Sequence, residues 1–267
     1  MRVLIVGGGR GIGRAIAGEL AARGHVVGLV ARTAIELDEA VRSIRANGGD
    51  AHSHPADVLE PDALRLACRR FEEDANGPID ALAFAAGRIK AVGPLAAVDL
   101  ADWWKDAETT LRGFAIAARE LIPRLRNSPT PSLTALIGPG FSNDLAFGTG
   151  YGIAQAGLAR LVESLAVELL PDTIPVYAVN PGLVPTDLIR GLIDDPNGRR
   201  WLPRFNEAFA EGKEVGPEVA AETVAWLVET RPPELSGRVV SALLTPDLLA
   251  PRMARMAAED LGRLRLR

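Results

Sequence analysis

The chain has 267 residues, 48% of them hydrophobic, and a formal net charge of −4. That length allows one large α/β domain or two small ones, and the charge gives no reason to propose a nucleic-acid partner. With Cys68 as its single cysteine, the chain can build neither a disulfide framework nor a cysteine zinc site by itself. Residues 3–6 form a short apolar run that reads as a buried strand. Gly7-Gly8-Gly9-Arg10-Gly11-Ile12-Gly13 follows at once, and Ile12, Ile16 and Leu20 then repeat at helical spacing. Glycines between a strand and a helix let the backbone turn sharply and approach a bulky anion. The helix N-terminus offers its free N–H groups to a phosphate.

Strands are expected at 25–31, 51–56, 79–85, 133–137, 174–179 and 238–244. Helices are expected at 34–46, 60–74, 100–125, 152–170 and 219–229. This alternation predicts an α/β fold with a doubly wound parallel sheet of Rossmann type, in three α/β/α layers. No linker or change of composition divides the chain, so residues 1–267 read as one domain. Ligands on such a sheet bind at the carboxyl ends of the strands. His52 and His54 could meet a metal on one strand face. They lack a carboxylate cluster, so they read as a surface pair at a strand end, and no metal is expected. Glycine and arginine interrupt the first apolar run early, and no apolar stretch is long enough to span a bilayer, so no membrane is expected and the cytoplasm is the expected setting.

Five motifs together resemble the short-chain dehydrogenase/reductase family over nearly the whole chain. They are Gly7-Gly8-Gly9-Arg10-Gly11-Ile12-Gly13, Asp57-Val58, Ala85-Ala86-Gly87, Tyr151 with the helix after it, and Asn180-Pro181-Gly182-Leu183-Val184-Pro185-Thr186. The Ala85-Ala86-Gly87 turn lacks the asparagine usual there. The resemblance implies a nicotinamide cofactor. Gly7, Gly9, Arg10, Gly11, Ile12 and Gly13 would wrap its pyrophosphate and adenosine ribose. Asp57 would accept from the adenine amino group, with Val58 beside the ring. Leu183 and Thr186, at the Pro181-Gly182 turn, would contact the carboxamide end. The second strand runs into Ala31-Arg32-Thr33 with no acidic residue, where an NAD site usually places a carboxylate. Arg32 and Arg10 could grip a 2′-phosphate, so NADP(H) is favoured and NAD(H) stays open.

The family's serine, tyrosine, lysine and asparagine match this chain at one position of four. Tyr151 is present; the lysine position carries Gln155, the serine position Gly138 and the asparagine position Thr110. A free phenol has a pKa of about 10, and bringing it near 7 takes roughly 4 kcal/mol. A neighbouring ammonium supplies much of that, and the neutral amide of Gln155 does not. Gln155 can still hydrogen-bond ribose hydroxyls. A neutral phenol still donates a proton, so these changes damage alcohol oxidation more than carbonyl reduction. Lys90, Ser142, Asn143, Asp144 and Thr149 are the residues that could stand in, while Lys105 is expected to face water and Tyr177 to pack in the core.

Residues 187–211 correspond to a substrate lid, rich in Leu188, Ile189, Leu192, Trp201 and Phe205, with a turn at 194–198 between two short helices. An apolar lid suits an apolar or aromatic carbonyl or alcohol. Past the last strand, 247–267 places Leu248, Leu249, Met253, Met256 and Leu261 at helical spacing, with Arg252, Arg255, Arg263, Arg265 and Arg267 between them. This tail could dock on a neighbouring subunit or fray in solvent. The small residues Ala154, Gly157 and Ala159 resemble helix-pairing surfaces, and a homodimer or homotetramer is expected. The leading reading is an NADP-dependent carbonyl reductase with a non-standard proton donor. Its rival is a nucleotide-binding protein without hydride chemistry, acting as a sensor or structural partner.

Overall fold

The structure, a computed structural model, describes residues 1–265. Seven parallel strands form one sheet in the order β3-β2-β1-β4-β5-β6-β7. They are β1 (Arg2–Val6), β2 (Val26–Ala31), β3 (Asp50–Pro55), β4 (Ala81–Phe84), β5 (Ser132–Leu136), β6 (Val176–Asn180) and β7 (Arg238–Ser241). The order reverses between β1 and β4, which opens a crevice at the carboxyl ends of the central strands. Helices α1 (Gly11–Ala22), α2 (Ala34–Ala46) and α9 (Pro217–Thr230) cover one face, through Ile16, Leu20, Leu37, Val41 and Val224. Helices α3 (Pro61–Asp74), α4 (Leu100–Leu125) and α5 (Thr149–Glu168) cover the other, through Leu64, Phe71, Phe114, Leu121 and Leu158. The central strands are buried on both sides, which is why they read as continuous apolar runs. Gly28 in β2 makes room for Phe71, since a Cβ there would lie 2.5 Å from the ring.

Three larger departures from expectation stand out, while other element ends shift by one or two residues. Helix α5 begins at Thr149, because Gly150 and Gly152 pack closely against Trp103 and Leu145 and that packing outweighs glycine's poor helix propensity. Strand β7 stops at Ser241, and Ala242 to Leu244 turn away with Leu243 half-exposed. The lid holds three short helices, α6 (Asp187–Asp194), α7 (Pro196–Trp201) and α8 (Pro203–Ala210). The expected turn at 194–198 is largely the start of α7: Asp195 caps it, accepting from the N–H groups of Asn197 and Gly198, and Pro196 takes the first helical position.

The tail, with α10 (Pro246–Leu249) and α11 (Met253–Ala258), docks on its own chain. Leu249 is fully buried, and Met253 and Met256 pack on the α9 layer. Val239 N–H of β7 donates to Gly262 O at 2.7 Å, and Leu264 N–H donates to Glu163 of α5. Arg238, Arg263 and Arg265 converge on Asp260. The tail is thus not frayed, although Leu248 and Leu261 stay exposed; Arg267 lies outside the described residues. The small-residue face of α5 is also used internally. Ala154 and Ala159 are buried, and a Cβ at Gly157 would lie 2.8 Å from Leu111 of α4.

His52 and His54 are not a surface pair. His54 is 4% exposed, its ring 5.8 Å from that of Phe71, and Asp74 lies 3.8 Å away. No group of three metal-ligating side chains is found among the described residues. Burial holds His54 below its ordinary pKa, with His52 and Arg70 adding to the effect and Asp74 opposing it. The unfolded chain therefore takes up this proton first, near pH 6.5. Stability is expected to fall as pH drops from about 6.5 toward the lower native value. Urea midpoints measured at pH 7.5 and pH 5 should show this loss, and His54→Gln should reduce it. An equal loss in both proteins would contradict the assignment.

Candidate functional site

The cleft at the strand ends begins at the β1–α1 turn. Gly7 has φ +87°, and a Cβ there would lie 2.8 Å from the Ala85 and Ala86 backbone. Its N–H donates to Val30 O at 2.7 Å. A Cβ at Gly13 would overlap the Gly7 carbonyl outright. Only glycine allows the turn, the helix and the β4 loop to approach this closely. Arg10 precedes α1 in extended conformation without capping it, which leaves the first N–H groups of the helix to the cleft.

Gly7, Gly9, Arg10, Gly11, Ile12, Gly13, Arg32, Asp57, Val58, Ala85, Ala86, Gly87, Pro181, Gly182 and Thr186 all line this cleft, together with Thr110, Gly138, Tyr151 and Gln155. Leu183 does not: it turns to the apolar cluster under the lid. Asp57 accepts from the Leu59 N–H at 3.0 Å, which fixes its side chain at the end of β3. Asp187, Leu188 and Ile189 of the expected lid also line the cleft, as does Glu36, which was not singled out from the sequence. Glu36 was legible in principle, because the first turn of α2 starts directly from the strand end that carries Arg32.

At the far end, Gly138 N–H donates to Gln155 Oε1 at 2.8 Å. With its oxygen so engaged, Gln155 presents its NH2 group as the donor left for a ligand. The Tyr151 hydroxyl fills the space beside Gly138, where an added Cβ would overlap it. Burial pushes the Tyr151 phenol above its ordinary pKa, with no cation to oppose the shift. No lysine lines the cleft. Lys90 is exposed and faces Asp102, Lys105 is exposed, and Lys213 pairs with Glu211. Ser142, Asn143 and Asp144 are exposed and do not line the cleft, and Thr149 accepts from Trp103 Nε1. None of these stands in beside Tyr151. Tyr177 is buried in β6, its hydroxyl donating to Pro232 O at 3.1 Å. Thr110 Oγ1 is buried without a hydrogen-bond partner, across from Gly87. Behind it, Arg88 joins the loop after β4 to α4 through Asp102 and Asp106, and Asp106 also accepts from the N–H groups of Lys90 and Ala91.

The fold and this cleft coincide with a match of residues 1–197 to the short-chain dehydrogenase family model. The chain belongs to the short-chain dehydrogenase family. This short-chain dehydrogenase is 32% identical over 269 residues to one from Pseudocercospora fijiensis, covering 98% of this chain and 85% of the relative. It is 29% identical over 244 residues to a cis-4-hydroxycyclohexanecarboxylate dehydrogenase of Sinomonas cyclohexanicum, covering 91% and 94%. Among solved structures, the KRED1-Pglu enzyme superposes with a TM-score of 0.80 at 25% identity, covering 90% of this chain and 99% of that one. An actinorhodin polyketide ketoreductase variant with NADPH shares the fold, with a TM-score of 0.78 at 23% identity, covering 92% and 96%. The family places the chain among NAD(P)-dependent oxidoreductases acting on small molecules. No helix among the described residues is long and apolar enough to cross a membrane.

Proposed function

We propose that this short-chain dehydrogenase reduces a carbonyl group on an apolar or aromatic small molecule, with NADP(H) preferred and NAD(H) accepted. The residues fit a dinucleotide. The glycine cradle cannot hold side chains, α1 offers its N–H groups, and the orphaned Thr110 hydroxyl lines the same cleft. Gly7 to Gly13 would hold the diphosphate, Asp57 and Val58 the adenine, Arg10 and Arg32 a 2′-phosphate, and Gln155 the nicotinamide ribose. A bound reduced nicotinamide supplies hydride. Tyr151 supplies the proton, as a neutral phenol. An alkoxide is a stronger base than phenolate, so it takes that proton even from a phenol that burial has made a weaker acid. Oxidation would need the phenolate, which the same burial opposes. Val92, Leu145, Leu192, Leu202 and Phe205 form an apolar wall on which Tyr151 packs, and this supports an apolar substrate body. One domain, a homodimer or homotetramer, and the cytoplasm complete the proposal.

The observation that carries this reading is Tyr151 sharing one cleft with the glycine turn and no lysine. Its test is titration with NADPH and NADH, followed by a panel of cyclic and aromatic ketones with coenzyme consumption matched to alcohol formed. Saturable binding with stoichiometric turnover supports it. Binding without turnover of any ketone turns the chain into a nucleotide-binding protein of the same fold.

Gly138→Ser is expected to lower turnover, not to improve it. The new Cβ needs the volume that the Tyr151 hydroxyl fills, and the ring is held by the apolar wall. A loss of about tenfold in kcat is expected, with coenzyme affinity unchanged, since overpacking costs about 1–3 kcal/mol. A gain in kcat would show that Tyr151 moves aside freely.

A further inference from the structure

One carboxylate at the adenosine end of the cleft has no role in the reading above. Glu36 stands in the first turn of α2 and lines the cleft beside Arg32 and Thr33. It lies over the phosphate turn: a Cβ added at Gly9 would come 3.3 Å from Glu36 Cβ and 3.6 Å from its Oε2. Arg10 Nη1 is 3.7 Å from Glu36 Oε1 and 3.6 Å from Asp187 Oδ2 of the lid. The guanidinium therefore sits between two carboxylates. Arg32 is exposed, and no ion pair joins it among the described residues. Two guanidinium groups and three carboxylates, those of Glu36, Asp57 and Asp187, line this end together.

We infer that Glu36 is a selectivity residue for the coenzyme, competing with a 2′-phosphate for Arg10 and offering an acceptor to a free 2′-hydroxyl. The inference rests on the cleft being a nicotinamide-coenzyme site. A phosphate monoester carries about −1.5 to −2 charges near neutral pH, so a facing carboxylate repels it. A ribose hydroxyl donates to the same carboxylate. Arg10 partners Glu36 and Asp187 before any ligand arrives, so its attraction for the phosphate is partly spent. The chain should then accept both coenzymes, with a modest preference only.

Binding decides this without turnover. Dissociation constants are measured by calorimetry for NADPH, NADH and two fragments that lack nicotinamide, 2′,5′-ADP and 5′-AMP. Glu36→Gln is expected to tighten NADPH and 2′,5′-ADP about tenfold while NADH and 5′-AMP stay level or weaken. The gain should shrink at high salt, where exposed charges are screened. In an Arg10→Gln background it should fall below threefold, and Glu36→Asp should keep the parent ratio. A merely structural role for Glu36 would move the thermal midpoint and all four ligands together. If the parent binds both coenzymes and Glu36→Gln leaves their ratio within twofold, the inference is overturned and the coenzyme site stands. If the parent binds neither, the coenzyme site falls, and this inference with it.

Discussion

Tyr151→Phe is expected to bind NADPH within about twofold of the parent and to lose about 10²–10⁴ in kcat for ketone reduction, the range that one general acid supplies. The phenyl ring keeps its packing on Leu145, Val92 and the lid, so the coenzyme half of the cleft is undisturbed. What disappears is the hydroxyl beside Gly138. No second acid compensates, because neither Lys90, which faces Asp102, nor Thr149 lines the cleft. The raised phenol also sets the pH behaviour. Tyr151 stays protonated through and above its ordinary value near 10. Ketone reduction should therefore show no loss from tyrosine ionisation between pH 6 and 9. Alcohol oxidation should climb with pH over the same range without levelling off. Stopped-flow and steady-state rates on both directions check this, and a Phe variant within threefold of the parent would remove Tyr151 from the chemistry.

Asp106→Ala should cost about 3–5 kcal/mol of stability, the penalty for stripping one partner from a buried ion pair. Asp106 has a fully buried carboxylate, and three donors converge on it: Arg88 Nη1 at 2.5 Å, Lys90 N–H at 2.8 Å and Ala91 N–H at 2.7 Å. Burial pushes its pKa up, with the Asp102 charge adding to the effect, while the two backbone hydrogen bonds and the Arg88 charge pull it down. Removing it orphans two backbone N–H groups and half of a guanidinium. A thermal midpoint lower by roughly 10 °C follows for a chain of this size. Pairing the change with Arg88→Met should recover only part of the loss, since the backbone donors stay unmet. A drop of less than about 1 kcal/mol by urea unfolding would show that the loop after β4 rearranges around the gap.

The sheet and its helices were legible because apolar periodicity survives burial on both faces. Helices α2 and α4 fall where their spacing put them. Helix α5 started early because its glycines are paid no heed by propensity once Trp103 and Leu145 close on them. The cleft was legible through residue types that chemistry restricts: glycines that admit no Cβ, Asp57 at a strand end, Tyr151 in a first helical turn. That Leu183 packs on the lid cluster was not legible, because a leucine beside a turn carries no sign of which side it faces. Glu36 was missed for a different reason. Its importance depends on distance to Gly9 and Arg10, which lie a strand away in sequence. His54 and Asp106 show the same limit: a polar residue's burial is a tertiary fact.

The hydrogen bond from Val239 to Gly262 bears on how copies of this chain meet in concentrated solution. An uncovered outer strand is a template on which another chain can add itself. On the β7 side that route is obstructed by residues of the same molecule. On the β3 side, exposed Asp50 and Pro55 stand at the two ends of the strand, one charged and the other without an N–H to give. Strand addition is thereby disfavoured at both margins of the sheet.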